Sequence, residues 1–220
     1  MDRITDAFVW PVRDRRWARK VAIIGLLLIV PILGAINGLG WMLATLDGLR
    51  AGDANLAPAS FRFLGRGFEL FVVNLVYVAV IVLVVGVVFV PTLALSNAQG
   101  SGPASTGLVA LAVLLNVAVF GVGTLASLAF YFALPAIILG ADRGGIAGGL
   151  NVVAVYRRMR LSPINTLIAG LMLIAVGFVS QLGVAACIVG VLFTSAYGLA
   201  MQAWIVRSYE LGVAEPSPTP

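Results

Sequence analysis

Four long apolar runs alternate with short polar segments along this chain. The runs are Val21–Leu46, Leu70–Leu95, Leu108–Gly140 and Ile164–Val206. A helix rises about 1.5 Å per residue, so roughly 20 residues cross a hydrocarbon core of about 30 Å. The second and third runs each fit one crossing. The fourth fits two, with a turn at Ser180–Ala186, and the pattern therefore predicts four full spans besides the first run.

The first run is interrupted by Pro31, Gly34, Gly38 and Gly40. If it crosses once, with the N-terminus inside, six of the basic residues lie inside and eight outside, against the positive-inside bias. If it is re-entrant and turns near Pro31–Gly40, all 14 lie inside, and only the Ser96–Gly107 loop and the Ser180–Ala186 turn face out. We therefore expect a broken or re-entrant first segment, with both chain termini on the cytoplasmic side. A hairpin in the third run is the alternative.

The polar segments predict amphipathic helices at the membrane surface. Residues 2–20 combine Trp10 and Trp17 with arginines, and a disordered basic tail is the alternative. Residues 43–71 favour two short helices around a turn, with an apolar stripe at Phe61, Leu64, Phe68 and Phe71; a solvated linker is the alternative. In the same segment Asp47 and Arg50 are three residues apart and can pair locally. In the third segment Ile146, Leu150 and Val153 share one helical face before an arginine cluster. Ser162 and Pro163 then suit the start of the next helix.

Composition agrees with an integral membrane protein. Of the 220 residues, 61% are hydrophobic and 10% are charged, far from the soluble averages of about 45–50% and about 25%. We expect one membrane domain over residues 1–209 and a disordered proline-rich tail over 210–220. The loop Ser96–Gly107 carries no charge and is rich in glycine and serine, which favours a flexible connection.

The sequence contains few of the residues that usually carry catalysis or bind metals. The chain has no histidine and one cysteine, so we expect neither a zinc nor a haem site, no cofactor and no catalytic residue. All nine acids lie outside the four runs, which disfavours an intramembrane aspartyl mechanism and proton-coupled transport. A hard cation at Asp47, Asp53 and Asn55 is conceivable, although loop polarity explains these residues more simply. The sequence indicates that the protein is not an enzyme.

Small side chains recur every four residues in the fourth run. The ridge consists of Ala186, Gly190, Thr194, Gly198 and Gln202. Such ridges let helix backbones approach closely in lipid. The ridge is predicted to pack against this chain's own helices or to form an oligomer interface, and the sequence leaves both open.

Basic residues beside the apolar runs are expected to contact lipid headgroups. They are Arg15, Arg16, Arg19, Lys20, Arg157, Arg158 and Arg160. The net charge is +5, but these residues flank apolar runs and do not form a soluble basic face. Anionic lipid is therefore the expected partner, and nucleic acid is not.

The chain resembles a family of multi-pass prokaryotic membrane proteins known as domain of unknown function 4013. The likeness begins at "WPVRDRRWARKVAIIGLLLIVP" and "GWMLATLDGLRAGDANLAP" and continues through "FLGRGFELFVVNLVY" and "LPAIILGADRGG". It ends with "LGVAACIVGVLFTSAYGLAMQAWIVRSYE", and so covers Trp10 to Tyr209. The resemblance implies a multi-spanning helical fold and carries no activity to any residue.

Two functions remain open from the sequence. The first is a non-enzymatic scaffold or accessory subunit in the cytoplasmic membrane, binding lipid, other membrane proteins or a second copy of itself. The second is a channel or transporter for an uncharged or lipid-like solute, using Asn74, Asn116, Gln181 and Gln202. A water-accessible path along the first three of those residues would favour the channel.

Overall fold

The computed structural model describes residues 6–98 and 106–214, and every regular element in those ranges is helical. The elements are α1 (Asp6–Val9), a 3₁₀ helix (Trp10–Arg13), α2 (Trp17–Leu27), α3 (Pro31–Arg50), α4 (Leu64–Ala98), α5 (Thr106–Leu150), α6 (Val152–Leu161), α7 (Pro163–Leu182), a second 3₁₀ helix (Gly183–Ala186) and α8 (Cys187–Ala214). The predicted all-helical class is confirmed. In the described ranges, four helical segments are long and apolar enough to cross a membrane: Pro31–Arg50, Leu64–Pro91, Val109–Leu150 and Pro163–Leu182.

By their internal contacts the residues divide into two compact units. The first unit contains the chain up to Val73 and again from Tyr131 onward, and the second unit is the insertion Asn74–Phe130 between them. The second unit contains the apolar lengths of α4 and α5, where Tyr77 and Phe130 bring their ring centroids within 6.0 Å. The single membrane domain expected over residues 1–209 stays a prediction.

The first apolar run folds as a helical hairpin. Helix α2 ends at Leu27, and α3 begins at Pro31, whose fixed φ and missing N–H suit the first turn of a helix. Gly34 permits the tight return, because a Cβ there would overlap the carbonyl oxygen of Leu27. The sequence predicted the break correctly and placed its turn a few residues too late.

Both arms of this hairpin lie against α8. Trp10 stacks on Trp204 at 5.7 Å, Trp17 contacts Phe193 and Tyr197, and a Cβ on Gly25 would lie 3.1 Å from the Leu192 carbonyl oxygen. The first arm therefore runs antiparallel to α8. Helix α3 runs parallel to it, from Gly38 beside Leu199 to Arg50 beside Glu210. The part of the N-terminal segment from residue 6 on is thus helical and packed, in contrast to a free tail.

A non-helical segment, residues 51–63, follows α3 and lies back along it. Asn37, Trp41 and Thr45 are spaced four residues apart on α3, and they form what we call the polar ladder. The Asn37 amide donates to the Ser60 carbonyl oxygen (3.1 Å) and accepts from the Phe63 amide (3.3 Å). The Trp41 indole donates to the Ala57 carbonyl oxygen (3.0 Å), and the Ala57 amide donates to the Thr45 hydroxyl (3.3 Å). The ladder replaces the backbone partners that a helix would supply.

This arrangement corrects the prediction of two short helices over residues 43–71. Helix α3 continues to Arg50, and the next helix begins only at Leu64. Phe61 is not helical, and Phe61 and Phe68 are 45% and 51% exposed, whereas Leu70 is buried. The close approach of Gly67 to the α3 backbone at Ile36 decides which face of α4 turns inward.

A sharp reversal near the end of α5 changes the predicted surface helix as well. Gly144 and Gly145 leave helical geometry, and Gly145 has a φ of 59°, which favours glycine. The following turn packs back so closely that a Cβ on Gly148 would overlap the Gly140 carbonyl oxygen. Ile146 and Leu150 therefore precede a break at Asn151, and Val153 belongs to α6. These residues do not share the helical face that the sequence predicted.

The fourth run is the predicted helical hairpin. Ser162 and Pro163 begin α7 as expected, and the chain turns at Gly183–Ala186, within the predicted Ser180–Ala186 turn. Helix α8 continues to Ala214, so residues 210–214 are helical where a disordered tail was predicted. The rest of that tail, and residues 99–105 of the predicted Ser96–Gly107 loop, lie outside the described ranges.

Candidate functional site

Seven charged residues from four helices meet at one place in the first unit. We call this set the ionic cluster: Asp47, Arg50, Arg66, Asp142, Arg143, Arg207 and Glu210. Asp47 and Arg50 end α3, Arg66 lies in the first turn of α4, and Asp142 and Arg143 precede the α5 reversal. Four arginines thus surround three acids.

Asp142 is the most buried member, with a side chain that is 3% exposed. It accepts from Arg50 Nη1 at 2.6 Å and from Arg66 Nη2 at 2.5 Å. A carboxylate removed from water is stable only when charged donors compensate it, and both of its oxygens have one. Arg66 also pairs with Asp47, which links α4 to α3.

The Glu210 carboxylate accepts hydrogen bonds from three arginines. Arg50 binds it in a two-point contact, with Nε and Nη2 at 3.0 and 3.1 Å from its two oxygens. Arg143 donates at 2.7 Å and Arg207 at 3.0 Å. Two-point arginine–carboxylate pairs fix geometry as well as charge. Arg50 therefore contacts every acid of the cluster, including Asp47 at 3.1 Å.

The sequence predicted only the Asp47–Arg50 pair, which is confirmed. The other members lie up to 160 residues from Arg50 along the chain. Their one sequence signal is that each falls at or near the end of an apolar run. All three carboxylates of the cluster are held by arginines, so none of them is available as a free base.

A second, smaller anchor joins the N-terminal segment to the chain after α3. The Asp14 carboxylate is 5% exposed and accepts from Lys20 Nζ at 2.7 Å and from the amides of Arg16 and Leu56. Lys20 also donates to the Leu56 carbonyl oxygen. Burial by itself raises the pKa of Asp14, but these hydrogen bonds and the Lys20 charge hold the pKa below its ordinary value. The anchor therefore stabilises the fold above a pH of about 4, and its contribution is lost as the pH falls through the lowered pKa.

The predicted lipid-contact residues divide into exposed and engaged groups. Arg15, Arg16, Arg19, Arg157 and Arg160 are exposed. Lys20 is engaged by Asp14, and Arg158 donates to the Ala136 carbonyl oxygen at 3.0 Å. Contact between these residues and lipid stays a prediction.

The small-residue ridge lies partly along α7. A Cβ on Gly198 would be 2.7 Å from Ser180 Oγ, and the Thr194 hydroxyl donates to the Ser180 carbonyl oxygen at 2.8 Å. A Cβ on Gly183 would likewise lie 2.5 Å from the Gly190 carbonyl oxygen. Packing within the chain accounts for these contacts. The Gln202 side chain is half-buried, that of Ala186 lies outside the described side chains, and an oligomer interface stays a prediction.

The polar residues proposed for a pore have different surroundings. Asn116 is exposed and donates to its own helix at the Ala112 carbonyl oxygen. The side-chain amide oxygen of Asn74 is buried and has no hydrogen-bond partner among the residues that the structure describes. Gln181 lines an open cleft of about 240 Å³ with Tyr131, Ile174, Gly177 and Phe178.

The conceivable cation ligands are occupied by other contacts. Asp53 accepts from the backbone and side-chain amides of Asn55, as in a local turn, and Asp47 belongs to the ionic cluster. In the part of the chain that the structure describes, no group of three or more potential ligands is placed to hold a metal ion. The local turn accounts for Asp53 and Asn55, and the ionic cluster accounts for Asp47, which lies in helix α3.

The structure combines long apolar helices, a polar ladder that supplies partners to non-helical backbone, and charges gathered at helix ends. The helices are apolar and long enough to cross a membrane, which indicates association with one. The model of the family described as "Protein of unknown function (DUF4013)" matches residues 23–189, and the chain belongs to that family. No curated protein and no solved structure matches the chain.

Proposed function

We propose that this protein is a non-enzymatic scaffold or accessory subunit of the cytoplasmic membrane, where it binds lipid or other membrane proteins. The observation that carries the proposal is the apolar surface of the second unit. Leu83, Val87, Phe120 and Leu125 are between 68% and 76% exposed there. Such a surface needs lipid or partner helices to cover it.

The first unit supports the same role by its saturated charges. Its ionic cluster joins four helices and leaves no free carboxylate, which suits a rigid support better than a catalytic centre.

The proposed topology places the first helical hairpin re-entrantly in the membrane. Lys20 at the start of α2 contacts Leu56 beyond the end of α3, so the two ends of the hairpin lie together. Its tip exposes Leu26, Ile29, Val30 and Ile32, which favour lipid over water. Helix α2 has 11 residues and is only about 16 Å long, too short to cross alone. These observations support both chain termini on the cytoplasmic side.

In-cell photocrosslinking tests the scaffold. A photoreactive amino acid at Phe120, which is 76% exposed, should capture a discrete neighbouring membrane protein. The same amino acid at Leu114, 66% exposed, should capture it as well, whereas one at the buried Ile205 is the matched control. Mild-detergent purification from the native host should retain the same protein or bound lipid. Absence of both protein adducts and retained lipid would contradict the proposal.

A channel or transporter for an uncharged or lipid-like solute is the second candidate. It is favoured by the side-chain amide oxygen of Asn74, which is buried and has no hydrogen-bond partner within the described ranges. Single cysteines at Asn74, Asn116 and Gln181 would test it with a membrane-impermeant thiol reagent. Labelling of all three would support a continuous aqueous path, and protection of Asn74 and Asn116 would argue against one.

A further inference from the structure

An apolar groove lies between α2 and α8 in the first unit. Ala22, Gly25, Leu26 and Ile29 form one wall, Leu192 and Phe193 form the other, and the cavity measures about 270 Å³. Gly25 sets its floor, because the absence of a side chain brings the α2 backbone against the Leu192 carbonyl group. The groove is therefore built by a close helix approach.

One exposed arginine continues the groove toward the start of α2. Arg19, Ala22 and Leu26 are spaced three and four residues apart on α2, so they follow one face of the helix, and Ile29 lies in the turn just beyond its end. Arg15 and Arg16 lie nearby in sequence and are also exposed. Within residues 6–98 and 106–214, none of these three arginines has an acidic partner, in contrast to the four arginines of the ionic cluster. Trp17 closes this end by packing on Phe193 and Tyr197.

We propose that this groove binds one acyl chain of an anionic phospholipid whose phosphate contacts Arg19. This inference rests on the lipid-binding part of the proposed function and assigns it to a site. Ten residues separate Arg19 from Ile29, which is about 15 Å along the helix, or half of a hydrocarbon core of about 30 Å. The apolar wall thus matches the depth of one leaflet, with the positive charge at its surface.

The volume of the groove suits the alkyl chain of a lipid better than a partner helix. A helix about 10 Å in diameter fills roughly 800 Å³ over the length from Ala22 to Ile29. The groove offers about 270 Å³, which suits a single flexible alkyl chain. The arginine charge then selects a phosphate-bearing anionic headgroup over a neutral one.

Native mass spectrometry of the full chain in mild detergent tests the site with phosphatidylglycerol and phosphatidylcholine. The wild type should bind phosphatidylglycerol more tightly than phosphatidylcholine. Arg19→Gln should weaken phosphatidylglycerol binding about fivefold, as expected for one arginine at an anionic surface. Arg62→Gln, at an exposed arginine of the non-helical segment, is the matched control and should change binding little. Equal losses in the two variants would overturn the site.

The groove itself is tested with Ala22→Phe, which fills it without changing charge, and this variant should lose the tight phosphatidylglycerol complex. If Ala22→Phe fails to fold, Leu26→Asn serves the same purpose, because Leu26 is 64% exposed and its loss leaves the core intact. Unchanged binding in the folded variant would overturn the proposal, as would full competition by inorganic phosphate alone. The lipid-binding assay does not depend on protein partners. A negative result in it would overturn the lipid site alone, whereas a negative photocrosslinking result bears on the scaffold proposal.

Discussion

Arg50 is the single residue that contacts all three acids of the ionic cluster. Arg50→Ala would leave Asp142 and Glu210, which are largely buried, with fewer charged donors. Removing one partner of a buried pair costs roughly 3–5 kcal/mol, and we expect about 2–3 kcal/mol here because Arg50 is partly exposed. Denaturant unfolding in detergent measures this loss.

Arg50→Lys should recover only part of the stability, because a lysine cannot make the two-point contact with Glu210. Arg62→Ala is the control and should stay within about 0.5 kcal/mol of the wild type. Equal stability of Arg50→Ala and Arg62→Ala would show that the cluster contributes nothing to folding.

Asn37 satisfies two backbone groups of the non-helical segment from one side chain. Asn37→Leu keeps a similar volume but leaves the Ser60 carbonyl oxygen and the Phe63 amide without partners. Each unsatisfied buried group costs about 1–3 kcal/mol, so we expect a loss of about 2–4 kcal/mol.

The matched control is Asn116→Leu, since the Asn116 amide donates only within its own helix and is exposed. It should leave the unfolding transition nearly unchanged. A similar small effect at Asn37 would mean that the polar ladder is not required.

At the scale of elements, the α7–α8 hairpin depends on glycines at the helix contact. Gly198→Leu should destabilise the protein by about 1–3 kcal/mol, because even its Cβ would approach Ser180 Oγ at 2.7 Å and Val176 at 3.3 Å. Gly86→Leu is the same change where nothing lies within 4 Å of the added Cβ. It should be neutral or stabilising, since leucine is the better helix former. Thermal unfolding in detergent compares them, and equal losses would remove close packing as the cause.

The regular helices and the residues that begin or break them could be predicted from the sequence, whereas the non-helical connections could not. Pro31 and Pro163 begin helices because proline fits a first turn, and that rule is local. Residues 51–63 remain non-helical because side chains of α3 supply their hydrogen bonds, and no pattern within that segment reveals the donors. The reversal at Gly145 likewise required the positive φ to be known.

The candidate site could likewise be predicted only in part from the sequence. The sequence shows which charged residues lie at the ends of apolar runs, and this pattern identified Asp47, Arg50 and the exposed arginines. The partnership of Arg50 with Asp142 and Glu210 depends on how four helices converge, and residues 92 and 160 positions away carry no mutual signal in one sequence. The groove below Arg19 was hidden for the same reason, because α8 forms half of it.

At the scale of the whole molecule, topology is the property that most needs an experiment. In a Cys187→Ala background, a single cysteine at Asn55 should resist a membrane-impermeant thiol reagent in intact cells. A cysteine at Ser101, in the predicted outer loop, should label. This result follows if the hairpin of α2 and α3 is re-entrant, because Asn55 then lies on the cytoplasmic side with Lys20 and Leu56.

Permeabilised cells provide the control, since the cysteine at Asn55 is exposed and should label there. Labelling of Asn55 in intact cells would place residues 47–66 outside and contradict the re-entrant hairpin. Protection of both sites in intact cells would contradict the outer position of the loop at Ser101.

The polar ladder also constrains the order in which this chain can be assembled during synthesis. Asn37, Trp41 and Thr45 leave the ribosome before the segment that they bind, and their partners follow only 12 to 26 residues later. If the hairpin of α2 and α3 is re-entrant, three polar side chains of the nascent helix have no acceptor or donor in lipid until those partners arrive, which costs free energy. Helix α3 would then gain its full stability in the bilayer only when residues 57–63 emerge. We therefore expect a re-entrant hairpin and residues 57–63 to enter the membrane as one cooperative unit.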